Sequence, residues 1–389
     1  MVLANILDYL TWRGDLSLEA VPFCDVDFLV LCRMSYIPFD SVVSADFLSG
    51  SITLGDAAKR VLKLAGQAGD GRLFRLRDDE RLLRGLIASE RFATLRLCGF
   101  VNTFNPANDE QFSAITVLLP QGTAVIAFRG TDGTITGWKE DFSMAFSEAV
   151  PAQLDAVRYL EAAAAHFSGG FYLGGHSKGG NLAVYSAAFC TPEVQKRVLR
   201  IRNFDGPGFS EKIFQRPQLQ NIIGITETIL PQSSVIGMLL EHAEDFSIVE
   251  SRSLGIYQHN VYMWEVVRGG FVTVESLTNS SRFMDVAMKD WIMDMPPELR
   301  EKMVNGLFQV LENADAKMLS DIWNGKKTFA IMRAYGNLDS ETRAVLSEAF
   351  RMLKNSIKSS LPTLLQQLGQ NIRSDFSPTE FLNNFFSMK

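Results

Sequence analysis

Apolar residues recur at helical spacing through the first quarter of the chain. From Leu54 to Ala65 they fall at Ala57, Val61, Leu62 and Ala65, with Lys59, Arg60 and Lys63 between them. That spacing predicts an amphipathic helix. A second helix is predicted from Asp79 to Leu95, with Leu82, Leu83, Leu86 and Ile87 on one side. Gly66 to Gly71, holding Gly69 and Asp70, reads as the turn between them. The period changes at Cys98. Gly99 to Phe104, Ala114 to Leu119 and Ala124 to Phe128 are short β-type runs. Turn chemistry separates them, at Asn105-Pro106-Ala107-Asn108 and Pro120-Gln121-Gly122. Leu154 to Phe167 then predicts an alanine-rich helix, Phe171 to Gly175 a strand, and Asn181 to Phe189 a helix. Further strands are expected at Ile201 to Phe204, Ile222 to Ile229 and Phe246 to Val249, with a helical stretch at Val235 to Leu240. From about Ser276 the pattern is helical to the end, most clearly over Asp285 to Met293, Pro297 to Glu312 and Ser340 to Leu361.

Strands that alternate with helices predict an α/β fold, with a mainly parallel sheet and helices on both faces. Three regions follow from the changes of period. Residues 1–95 form an N-terminal helical segment packed on the core, 96–275 the α/β core, and 276–389 a C-terminal helical region. No internal repeat or low-complexity linker separates them, so they are expected to pack as one body.

Composition narrows the class. Hydrophobic residues make up 47% and charged residues 21% of the 389, which fits a folded globule rather than a disordered chain. Lysine and arginine number 38 against 44 acidic residues, a net −6 that argues against nucleic-acid binding. No apolar run reaches the roughly 18 residues of a membrane span. Met1 to Asp15 lacks the basic-then-apolar pattern of a secretory signal, so a cytoplasmic location is expected. Cys24, Cys32, Cys98 and Cys190 form no C-x-x-C pair, which argues against a zinc knuckle or a thioredoxin-like site and fits reduced thiols. No metal or organic cofactor is expected.

Gly175-His176-Ser177-Lys178-Gly179 fits the G-x-S-x-G nucleophile elbow. A sharp turn from strand to helix lifts the serine hydroxyl out of the sheet, and glycines are needed where the backbones nearly touch. The context agrees: Phe171-Tyr172-Leu173-Gly174 leads in as a strand, and Gly180, Ala183 and Ala187 suit a closely packed helix. An incidental serine in a glycine-rich turn is the alternative. Upstream, Val125-Ile126-Ala127-Phe128 ends in Arg129-Gly130-Thr131, a strand followed by a tight turn. Such a loop supplies one oxyanion donor in acyl-transfer enzymes. Thr131 is the candidate for that donor and the N–H of Lys178 for the second.

A histidine base has four candidates: His166, His176, His242 and His259. His176 neighbours the serine but points elsewhere in an elbow. His166 ends a predicted helix, and His242 follows the stretch Val235 to Leu240. His259 follows the last predicted sheet strand, where the base of this architecture falls, and is preferred. The acid should lie between Ser177 and His259. Asp205, closing a strand before Gly206-Pro207-Gly208, is preferred over Asp245 and Glu227. Its alternative role is to organise that bend.

Phe128-Arg129-Gly130-Thr131 and Gly175-His176-Ser177 with Gly179-Gly180 resemble class-3 lipases of the α/β-hydrolase fold. Gly175 to Asn181, Phe204-Asp205-Gly206-Pro207-Gly208-Phe209, Pro231-Gln232-Ser233-Ser234 and Gln258-His259 resemble more closely an uncharacterised bacterial family of lipase-like proteins, a domain of unknown function. The resemblance runs from Asp25 to about Val267 and is less distinctive in the C-terminal helices. It implies an α/β-hydrolase fold, here with an N-terminal helical segment and a C-terminal helical extension, and serine-hydrolase chemistry at Ser177 and His259. Two departures stand out. The aspartate that class-3 lipases carry near Leu230-Pro231 is absent, and Lys178 replaces the usual apolar residue after the serine.

The expected function is a serine hydrolase of carboxylic esters, acyl lipids among them, with Ser177, His259 and Asp205 as a triad forming an acyl-enzyme. A non-catalytic scaffold of the same fold, and a thioesterase or peptidase using the same residues, are the rivals. In the C-terminal region, Ser377-Pro378-Thr379-Glu380 reads as a capping box before an apolar side of Phe381, Leu382, Phe385 and Phe386. These helices are expected to pack on the core, pair two copies of the chain, or touch a membrane peripherally.

Overall fold

Among the described residues, eight strands form one sheet in chain order: β1 (Ile52–Thr53), β2 (Arg96–Asn105), β3 (Glu110–Leu118), β4 (Ala124–Phe128), β5 (Phe171–His176), β6 (Val198–Phe204), β7 (Thr226–Pro231) and β8 (Asp245–Val249). This computed structural model describes residues 4–68, 77–253, 255–318, 321 and 325–368. The sheet changes character at β4. β1 to β4 pair antiparallel, and between β2, β3 and β4 the turns at Pro106–Asn108 and 119–123 are too short for a crossover. β4 to β8 pair parallel. The parallel register sets Phe128, Gly175 and Asn203 side by side, so β4, β5 and β6 end at one edge.

The two faces follow from the period of two along a strand. In β4, Val125 and Ala127 face the cluster that holds the helix Asp25–Met34, while Ala124, Ile126 and Phe128 face the helices Pro151–His166 and Lys178–Phe189. β4 is therefore buried on both sides and reads as an unbroken apolar run. The N-terminal helices share the first cluster with Leu97, Ile115, Phe204 and Ile229 of the sheet.

The predicted helices shift at their ends. The first runs Leu54–Ala68, so Gly66 is helical and not a turn residue, while 69–71 lie outside the described residues. The second divides into Arg77–Ala88 and Glu90–Ala93. Ser89 stands at the break, its Oγ donating to the Gly14 carbonyl at 3.0 Å. Residues Ile223–Ile225 form a 3-10 turn, and the strand starts only at Thr226. Val235 to Leu240 is not helical but a series of turns, for a reason given with the site.

Two buried ion pairs, Arg91 with Asp27 and Arg33 with Asp79, tie the N-terminal helices together. Arg91 forks onto Asp27 at 2.6 and 2.5 Å, and Tyr9 donates to the same carboxylate at 2.7 Å. Arg91 also donates to the carbonyls of Leu16, Ser17, Val21 and Pro22. Burial, and then the Asp27 charge, push the Tyr9 hydroxyl well above its ordinary range, so it stays a donor. Removing one partner strands a charge in the core. Asp27→Ala is therefore expected to destabilise the protein by about 3–5 kcal/mol, read from chemical denaturation. A loss below about 1 kcal/mol would show that water reaches Arg91.

The chain divides into two units. The sheet and its helices lie in Met1–Asp132 with Glu148–Ser276, and the other unit comprises Gly133–Ser147 and Leu277–Lys389. The second unit is helical: Asn279–Asp294, Pro297–Asn313, Gly325–Gly336 and Ser340–Leu368. The helix Ile135–Ser143 belongs to its core, where Ile135 clusters with Trp291, Phe308 and Leu346. Among the described residues, no helix is long and apolar enough to cross a membrane. The predicted capping box and apolar side from Ser377 to Phe386 lie outside the described residues.

Candidate active site

β5 ends at His176, and the helix Lys178–Phe189 begins one residue later. Ser177 alone makes the turn, with φ 60° and ψ −137°. A non-glycine residue there is strained, and its neighbours must hold it in place. The crowding explains the flanking glycines: a Cβ on Gly175 would stand 2.2 Å from the Gly179 carbonyl carbon. The helix starts at Lys178 and not at Asn181, because the elbow delivers the chain directly into its first turn.

The Arg129-Gly130-Thr131 loop leaves β4 beside this elbow. A Cβ on Gly130 would meet the His176 carbonyl oxygen at 2.5 Å and the Ser177 Cβ at 2.9 Å. The Gly130 N–H donates to Tyr36 Oη at 3.2 Å. Thr131 is buried and lines the same cavity as Ser177. Lys178 is buried too, its ammonium donating to the Gln111 carbonyl at 3.0 Å. That acceptor lets a lysine occupy a position where apolar residues are usual.

His259 and Asp205, 54 residues apart in the chain, meet through Nδ1 and Oδ2 at 2.7 Å. Asp205 is fully buried at the end of β6, with φ 51°. Its other oxygen, Oδ1, accepts from Ser234 Oγ at 2.5 Å and from the Gly237 N–H at 3.2 Å. These bonds stabilise the carboxylate and hold its second oxygen toward the imidazole. The missing helix at Val235 to Leu240 has a separate cause: the backbone of Leu239 and Glu241 bonds across to Gly208 and Phe209 instead. The Gly206-Pro207-Gly208 bend is organised by Asn203, whose Oδ1 accepts from the Gly206 N–H at 2.9 Å and whose Nδ2 donates back to the Gly206 carbonyl at 3.1 Å. Asp205 is thus left to His259.

The other acids lie at the opposite strand ends. Glu227 and Asp245 pair in register at the starts of β7 and β8, while Asp205 closes β6. Glu227 binds Arg202 and Ser247, and Asp245 is exposed. His166 ends its helix and stacks on Phe47. His242 pairs with Glu244, Nδ1 to Oε1 at 2.8 Å, and Thr228 Oγ1 donates to the same oxygen. Burial alone would raise the Glu244 carboxyl, but the His242 bond and charge and the Thr228 hydroxyl outweigh it and bring it down to about 2. A depressed carboxyl stabilises the fold above its unfolded value, and that contribution is lost as pH falls through the folded one. The melting temperature is therefore expected to drop between about pH 4.5 and pH 2, and Glu244→Gln to flatten part of that limb. An unchanged acid limb in the variant would exclude Glu244 as its source.

His176 lies between the segments of the site. Its Nε2 donates to the His259 carbonyl at 2.8 Å, which in the neutral ring leaves Nδ1 to accept from Tyr36 Oη at 3.1 Å. The two histidine rings stand 4.4 Å apart. Tyr36 and Ser234 were not singled out as site residues by the sequence. Tyr36 comes from 140 residues before His176, and no local pattern marks it. Ser234 lies in Pro231-Gln232-Ser233-Ser234, a segment that the family resemblance did include.

A cavity of about 390 Å³ opens over these groups, lined by Ser177, His259, Thr131, His176, Tyr36 and Arg33 among others. The sheet order and the strand–serine–helix elbow fit the α/β-hydrolase fold. Residues 86–309 match the Mbeg1-like family, and the chain belongs to that family. Among solved structures it is similar to a triacylglycerol lipase described as having a serine protease triad at its catalytic centre, at 16% identity and a TM-score of 0.32, over 40% of this chain and 67% of that one. The lipase of Rhizomucor miehei, in a native propeptide complex, is similar at 16% identity and a TM-score of 0.33, over 40% of this chain and 57% of that one. No curated protein matches the chain.

Proposed function

We propose that the protein is a serine hydrolase of carboxylic esters, with acyl lipids among its candidate substrates. Ser177 is the nucleophile. His259 takes its proton and returns it to the leaving group. Asp205 holds the imidazole with Nδ1 protonated and stabilises the imidazolium. The acyl group passes to Ser177 Oγ as the alcohol leaves, and water then releases the acid. The N–H groups of Thr131 and Lys178 are the oxyanion donors in this reading. Lys178 suits that role because its N–H stands at the first position of a helix, where the dipole favours negative charge.

The observation that carries the reading is the His259–Asp205 pair at 2.7 Å, on the cavity that also exposes the strained Ser177. The Ser234 and Gly237 donors on Asp205 support it, since an acid serving only a turn needs no such arrangement. The test is covalent labelling with a fluorophosphonate probe, followed by peptide mapping. Labelling at Ser177, blocked by denaturation, is expected. An unlabelled Ser177 in folded protein, with no turnover of short or long acyl esters, favours the binding-scaffold reading.

A further inference from the structure

Arg33 is only 3% exposed, yet it lines the cavity that holds Ser177. Its Nε and Nη2 fork onto Asp79, each at 2.8 Å, and Tyr262 donates to the same carboxylate at 2.8 Å. The guanidinium stacks over the Tyr36 ring at 4.4 Å, which fixes its plane. Five N–H donors are available on a guanidinium. Asp79 takes donors on Nε and Nη2, and the Tyr262 ring also lies against the guanidinium at 5.4 Å, so the Nη1 donors are the ones that Asp79 leaves. With Arg33 in the cavity wall, that edge is the one offered to a bound group. The wall is more apolar than polar, with Val261, Met263, Tyr36 and Tyr257 beside Ser253 and Asn260, and Arg33 is its one cationic donor apart from the histidines.

We propose that Arg33 is a specificity residue, and that the cavity takes compact esters whose acyl part carries a second oxygen acceptor, a carboxamide or a carboxylate. This rests on the hydrolase reading above. An acceptor oxygen takes up the Nη1 donors, whereas an alkyl chain of equal length displaces their water and leaves them unpaired. Asp79 already balances the charge of Arg33, so hydrogen bonding rather than net charge makes the selection.

The test uses three p-nitrophenyl esters of matched acyl length ending in methyl, carboxamide or carboxylate. One or both polar esters are expected to exceed the methyl ester in kcat/KM by about tenfold or more. A lead for the carboxylate marks an anion site, and a lead for the carboxamide a neutral acceptor site. Arg33→Lys keeps a cation for Asp79 but loses the planar fork, and should bring the ratio near one. A methyl ester turned over as well as both polar ones, or a preference that survives in a folded Arg33→Lys, overturns the proposal. If that variant does not fold, the ranking in the unaltered protein decides. Failure of the hydrolase reading is separately visible as absent fluorophosphonate labelling. In that case, thermal shifts with the three matching amides replace turnover. Stabilisation by the polar amides alone supports the site, and equal shifts remove it.

Discussion

Ser177→Ala is expected to lower ester turnover by on the order of a thousandfold or more, with the fold intact. The expectation follows from position. Ser177 is the one residue between β5 and the helix Lys178–Phe189, and its backbone already carries the strain of the elbow. Among the described residues, the Ser177 Oγ forms none of the hydrogen bonds that hold the site together, so its removal costs little structure. The melting temperature should stay within a few degrees of the unaltered protein, and fluorophosphonate labelling should vanish. Residual rate would come from substrate held against the oxyanion donors. Turnover that persists near the original level in a clean preparation would show that another group attacks the ester.

The second large effect is expected at the pair behind the serine. His259→Ala should reduce turnover about as far as Ser177→Ala, and the double variant little further, because nucleophile and base act as a unit. His242→Ala and His166→Ala should cost far less, since one pairs with Glu244 and the other stacks on Phe47. Asp205→Asn is the more informative change. Ser234 and the Gly237 N–H both donate to Oδ1, so the new amide would set its oxygen there and its NH₂ toward His259. The imidazole would then accept at Nδ1 and carry its proton on Nε2, the wrong tautomer for a base. A fall of roughly two to four orders of magnitude in kcat follows, with the protein folded, since Asn203 holds the bend. The same change at Asp245 should be mild. A severe effect at Asp245 with a mild one at Asp205 would reassign the acid.

The elbow was legible in the sequence because its constraints are local. Glycines at 175 and 179 and a strand-to-helix switch act within a few residues, where backbone crowding decides. The alternation of strand and helix likewise announced an α/β fold, since burial on one or two faces leaves its period in the chain. Chain order was enough to place His259 first as the proposed base. Among the acids it gave only a ranking. What separates Asp205 from Glu227 and Asp245 is which end of a parallel strand each occupies, and that becomes visible only when the strands are in register.

Other features were decided wholly by tertiary structure. Val235 to Leu240 reads as helical in the sequence, yet the backbone of Leu239 and Glu241 bonds across to Gly208 and Phe209 and the local preference is overridden. Tyr36 and Arg33 enter the cavity from an N-terminal helix and the turn after it, and neither carries a motif. Their partners, His176 and Asp79, lie 140 and 46 residues on. Periodicity and turn chemistry report what a residue meets among its chain neighbours. A hydroxyl or guanidinium bonded across the fold leaves no such trace, because its partner is chosen by packing and by the cost of burying a polar group alone.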